Sequence, residues 1–109
     1  MSSMMKNLVV AAAVITAPIL TATSAAAEGE TYILVSHAPD SDSWWNTIKN
    51  GIALAGDQVG ANVEYRNPPT GDIADMARII EQAAASNPDG IITTLADFDV
   101  LKGPITAAV

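Results

Sequence analysis

Between Gly29 and Pro39 the chain reads Thr31-Tyr-Ile-Leu-Val-Ser36, a continuous run of β-formers that predicts a strand buried on both faces. From Trp44 the apolar positions change to Trp44, Ile48, Ile52, Ala55 and Val59, a spacing near 3.6 that predicts a helix. Asp42 or Ser43 is placed to cap its start, and Gly60 follows Val59 where a left-handed cap residue belongs. Gly51 and Gly56 inside this helix each weaken it by up to about 1 kcal/mol relative to alanine unless they allow close packing on a sheet, and close packing is the reading adopted for both.

Asn62-Val-Glu-Tyr65 is a second, more exposed strand, and Arg66-Asn-Pro-Pro-Thr-Gly71 is a loop. Asp72 is then a good cap, with Asp75 in the first turn and Ile73, Met76, Ala77, Ile80, Ala83 and Ala84 on the apolar face of a second helix. Asn87-Pro-Asp-Gly90 stops that helix, and Ile91-Ile-Thr-Thr-Leu95 is a third strand. Asp99 or a neighbour opens a third helix, expected to run to Val109. The order β-α-β-α-β-α with short connections predicts an α/β fold, a three-layer parallel sheet with right-handed crossovers. The apolar residues of the last helix, Val100, Leu101, Ile105, Ala108 and Val109, call for more sheet than three strands supply, so the chain reads as truncated.

Ahead of this pattern, residues 1–27 read as a secretory signal peptide. Lys6 is the single early cation, Leu8 to Leu20 is uncharged and apolar, and Ala25-Ala26-Ala27 supplies a small-residue cleavage pattern, with the cut after Ala27. A membrane anchor fits less well, because Thr16, Thr21, Thr23 and Ser24 dilute a segment that needs about 20 strongly apolar residues to span a bilayer. Residues 28–109 are left as one small domain. With no cysteine in the chain, that domain rests on its core alone and carries no lipid-bearing residue at its cleavage site. A periplasmic location follows, without membrane insertion after cleavage.

Loss of Lys6 with the leader takes the formal net charge from −7 to −8, twelve acids facing Lys49, Arg66, Arg78 and Lys102. Such a surface repels phosphate backbones and anionic lipid, so nucleic acid is excluded as a partner.

The chemistry-bearing residues gather in His37-Ala-Pro-Asp-Ser-Asp-Ser-Trp-Trp45, a polar turn at the carboxyl end of the first strand, where open α/β sheets bind ligands. Asp40 and Asp42 alternate like the start of a calcium loop, but Trp45 stands where glycine is required and Gly51 where glutamate is required. A single histidine and no cysteine argue against a zinc site. Gly51 and Gly56 have P-loop spacing, yet Asp57 replaces the necessary lysine, and neither G-x-G-x-x-G nor G-x-S-x-G occurs. No cofactor is implied.

The segments Val35-Ser-His-Ala-Pro-Asp-Ser-Asp-Ser-Trp-Trp-Asn-Thr-Ile-Lys-Asn-Gly51, Gly60-Ala-Asn-Val-Glu-Tyr65, Asn87-Pro-Asp-Gly-Ile-Ile92 and Leu101-Lys-Gly-Pro-Ile105 resemble the amino-terminal lobe of periplasmic sugar-binding proteins of ABC importers, the ribose-binding type. The resemblance implies a partial lobe whose polar turn and aromatic pair border a cleft between two lobes, binding a small sugar or polyol for delivery to a membrane permease. Trp44 and Trp45 match the aromatic pair, and Asp42 lies where a polar residue commonly bonds a sugar hydroxyl. An indole face suits the C–H face of a sugar ring while carboxylates and amides take its hydroxyls. Trp44 alternatively belongs to the helix's buried stripe. His37 bonds either ligand or turn backbone, and Asp97, after the third strand, either reaches the cleft or caps the next helix. Arg66 and Asn67, ending the second strand, reach either ligand or solvent, with the solvated reading as the default.

A different class is also open: a small exported α/β enzyme using Asp40, Asp42, Asp97 and His37 as acid, base or magnesium ligands. The absence of a matched nucleophile and base weighs against it. A regulator's ligand domain would carry a helix-turn-helix where this chain has its leader.

Overall fold

The computed structural model describes residues 12–15 and 29–109. The expected signal peptide over residues 1–27 therefore lies outside the described residues, apart from 12–15, which carry no regular secondary structure. Among the described residues no helix is long and apolar enough to cross a membrane.

Six elements follow in the expected alternation: β1 (Thr31–Val35), α1 (Ser43–Val59), β2 (Asn62–Arg66), α2 (Ile73–Ala85), β3 (Gly90–Thr93) and α3 (Phe98–Ala107). Their boundaries follow local chemistry. Asp42, Asp72 and Asp97 each stand in extended conformation before a helix and accept the backbone N–H of the third residue on, those of Trp45, Asp75 and Val100. Gly60 closes α1 in the left-handed conformation, φ 75°, a position that costs an L side chain strain. Asn87, at φ 57°, takes the chain out of α2 just before Pro88. The third helix is capped by Asp97, one of the two aspartates that could open it, and differs from expectation at its other end, where it stops at Ala107.

The three strands form one parallel sheet in the order β2-β1-β3. The chain thus moves outward from β1 to β2, then returns past β1 to β3. A single crossover hand then sends α1 to one face of the sheet and α2 to the other. Alternation along the strands agrees. Ile33, Val35 and Ile91 pack with Met76, Ile80, Ala83, Leu101 and Ile105 on the α2 and α3 side, where the core lies. On the opposite side Tyr32, Val63 and Ile92 face Ile52, Ala55, Gly56 and Val59 of α1.

The two faces are covered unequally. Helix α1 lies over β2, and Gly56 is its only buried residue. A methyl group there would stand 2.8 Å from Val63 Cγ2 and 3.0 Å from the Ala61 carbonyl oxygen, so this glycine sets how closely helix and strand approach. Gly51 corrects the expectation: nothing lies within 4 Å of the equivalent position, and it takes no part in the packing. The rest of the expected stripe is only partly covered. Ile48 and Ile52 are half-buried, whereas Val59 and Ile92 are exposed along a groove of about 340 Å³ with almost no polar wall. Gly90 has a use that its turn reading did not reveal: a Cβ would collide with the Tyr32 ring, which lies against the strand at that point.

Candidate functional site

Register places the site. Val35 pairs with both Arg66 and Thr93, so the three strands end level with one another. The chain leaves the sheet there through Ser36-His37, Asn67 and Thr94, and all three helices begin at the same end. Crevices outside the carboxyl ends of parallel strands, on either side of the point where the strand order reverses, are where such sheets receive ligands. That point is β1, flanked by β2 and β3.

The loop after β1 is held firmly. Ser36 is wholly buried, and its hydroxyl shares a 2.6 Å hydrogen bond with the Tyr65 hydroxyl while accepting the Ala38 N–H. Asn67 donates its amide to the Ala38 carbonyl at 2.8 Å and to Asp40 Oδ1 at 2.9 Å, and the Asp40 N–H donates to the Pro69 carbonyl. Asn46 of α1 donates to the Asp40 carbonyl. Asn67 is therefore a clamp between the β1 and β2 loops and not the solvated residue its position suggested. Arg66 is bound to Glu64 of its own strand at 2.8 Å, half-exposed.

Within this frame the structure brings together His37, Trp44 and Trp45. His37 Nδ1 lies 3.0 Å from the Thr94 hydroxyl, joining the loops after β1 and β3. Its ring meets Trp45 edge-on with centroids 5.5 Å apart, and Trp45 meets Trp44 edge-on at 5.1 Å. The interplanar angles, 80° and 83°, make a stepped aromatic corner. Trp44 is 63% exposed and Trp45 half-buried, so the first indole is not part of a buried helix stripe. Asp42 sits at the foot of the corner with Oδ1 accepting the Trp45 N–H, a bond that fixes where α1 and its tryptophans start. Asp97 is exposed and its Oδ1 caps α3, so its capping role is realised.

Thr94 and Asn67 are the residues sequence reasoning undervalued. The signal for Thr94 was present, since it stands closer than Asp97 to the carboxyl end of β3. Among the described residues no three of His, Asp or Glu converge into a group able to hold a metal ion. Asp40, Asp42 and Asp97 are separately engaged, by Asn67 and by two helix caps.

An open parallel lobe with a rigid polar loop and an aromatic corner at its strand ends defines a ligand-binding α/β module. Residues 32–109 match the family model of the periplasmic binding protein domain, and the chain belongs to that family. Two solved structures are similar. A carbohydrate transporter from Acidothermus cellulolyticus in complex with myo-inositol is 28% identical, with a TM-score of 0.68 over 73% of this chain and 27% of that one. GanP, a glucose-galactose binding protein from Geobacillus stearothermophilus, is 27% identical, with a TM-score of 0.69 over 74% of this chain and 29% of that one. The chain thus spans less than a third of either structure. Among curated proteins no sequence matches. The fold is that of part of the amino-terminal lobe of a sugar-binding periplasmic protein, as the motif resemblance implied.

Proposed function

We propose that this chain forms one wall of a sugar or polyol site in a periplasmic receptor that serves an ABC importer, exported by a leader cut after Ala27. Trp44 stacks on the ring of the ligand, Trp45 and His37 back it, and Asp42 and Asp97 accept its hydroxyls. The role is binding and release, not catalysis. The opposite wall belongs to a second lobe that closes by hinge motion and presents the loaded receptor to the membrane permease. The observation that carries this reading is the exposed Trp44 indole at right angles to Trp45, in the first turn of a helix that follows a loop clamped by Asn67. Such a surface is formed before the ligand arrives, which lowers the ordering cost of binding. The names of the two similar structures, one holding myo-inositol and one described as binding glucose and galactose, agree with a hydroxylated, ring-shaped ligand.

A single wall leaves half of the ligand in water, while binding pockets cover most of it. The chain by itself is therefore expected to hold sugars with a dissociation constant on the order of 1 mM, worth about 4 kcal/mol. Titration of the 109-residue chain with myo-inositol, galactose and ribose, followed through the indole N–H resonances, tests this. Saturable shifts confined to Trp44 and Trp45, and lost in Trp44→Ala, are the expected result. Micromolar affinity overturns the half-site argument, and an unmoved indole pair overturns the site.

A further inference from the structure

Given the sugar or polyol reading above, the charges around the aromatic corner select among hydroxylated ligands. Asp40 and Asp42 stand in the loop after β1, and Asp97 and Asp99 begin α3 beyond β3. Four carboxylates thus border the end of the sheet that holds His37, Trp44 and Trp45. Facing them are the three helix N-termini, each equivalent to about half an elementary charge. Their sum is smaller than the acidic charge, so the rim is net negative.

Among the described residues the arginines are paired and the lysines offset only part of that charge: with both ammonium groups counted at the rim, they and the three N-termini sum to about +3.5 against four carboxylates. Arg66 is bound to Glu64 and Arg78 to Asp75. Lys49 lies 5.8 Å from the centre of the Tyr65 ring, and Lys102 lies 5.4 Å from that of Phe98. Both arginine forks are thus taken up by carboxylates, so no bidentate partner is left to meet a carboxylate or phosphate on a ligand. The open face of Trp44, two residues from Asp42 and perpendicular to Trp45, has the opposite preference. An indole face attracts an ammonium group, and more so where a carboxylate stands beside it.

We infer that the site favours a hydroxylated ligand carrying a positive charge, an amino sugar or amino-cyclitol, over its neutral analogue, and disfavours the corresponding uronate. The preference is set at about fivefold, the factor for roughly 1 kcal/mol between an ammonium and one exposed carboxylate about 4 Å apart in water. The uronate is disfavoured by a similar factor.

Galactosamine, galactose and galacturonate form a matched set for the test, titrated into the 109-residue chain at a pH where the amine is protonated and followed at the Trp44 and Trp45 indoles. Galactosamine is expected to bind about fivefold more tightly than galactose at about 0.01 M salt. That ratio should shrink at about 0.1 M salt, as the screening length falls from about 30 Å to about 10 Å. Asp42→Asn, which keeps a competent helix cap, should weaken galactosamine more than galactose. Galactose binding as tightly as galactosamine at low salt, or a ratio indifferent to salt, overturns the charge preference while leaving the sugar site standing. If none of the three moves the indole signals, the sugar reading itself fails and the preference falls with it.

Discussion

Replacing Gly56 by alanine tests how α1 is seated on the sheet, and the structure sets both the sign and the size of the effect. The new methyl group would lie 2.8 Å from Val63 Cγ2 and 3.0 Å from the Ala61 carbonyl oxygen, against an optimum of about 3.5–4.0 Å between carbons. Neither neighbour yields easily. Val63 is β-branched and stiff about its first torsion, and the Ala61–Asn62 backbone is pinned by the 2.8 Å bond from the Asn62 N–H to the Glu30 carbonyl. The helix must therefore lift, and overpacking of this kind costs about 1–3 kcal/mol. Alanine recovers up to about 1 kcal/mol of helix propensity. The net loss lies between about 0 and 3 kcal/mol, centred near about 1.5 kcal/mol, and each kcal/mol lowers the Tm of a domain this size by about 4–8 °C. Gly51→Ala is the control on the same helix, since nothing lies within 4 Å of its new methyl group, and it should stabilise by up to about 1 kcal/mol. Thermal and urea unfolding followed by circular dichroism read both. Adding Val63→Ala to Gly56→Ala should recover part of the loss. A Gly56→Ala that stabilises as Gly51→Ala does would refute the close approach of α1 to β2.

Three further outcomes are expected. Ile80→Ala, in the fully buried cluster between sheet, α2 and α3, should cost about 2–5 kcal/mol in urea unfolding; a loss below the low end would mean that this side is no better packed than the α1 side. Ser36→Ala strands both the Tyr65 hydroxyl and the Ala38 N–H, at about 1–3 kcal/mol, whereas Tyr65→Phe leaves Ser36 bonded to Ala38 and should cost less; the reverse ranking would show that Ser36 does not organise the loop. The Tyr32 hydroxyl donates to the Glu30 carboxylate, which, with burial and the charges of Glu30 and Asp89, raises its pKa above the ordinary 10.0. The folded state therefore favours the neutral phenol. This stabilisation is present below pH 10 and is lost as pH rises through the raised value. Glu30→Gln should bring the ultraviolet phenol titration of Tyr32 back down, and an unchanged midpoint would rule out Glu30 as the main cause.

Much of the architecture is written in short-range pattern. The spacing of Ile73, Met76, Ile80 and Ala83 announces α2, and three of these four residues lie in the core. Asp72 and Gly60 mark element ends because capping acts over three or four residues, a distance a linear reading spans. The polar turn from His37 to Trp45 was legible as a site for a similar reason: aromatic and acidic residues directly after a strand have few structural uses together. Fold class and the neighbourhood of the site were thus determined by the sequence alone. Strand order β2-β1-β3, the level strand ends and the unequal covering of the two faces were decided only in three dimensions. They depend on contacts between residues tens of positions apart, such as His37 with Thr94 and Asn67 with Ala38. Gly51 and Gly56 make the division plain. The two have the same propensity and stand on the same helix, yet only the one facing Val63 controls packing, because helix phase relative to a strand is a tertiary quantity.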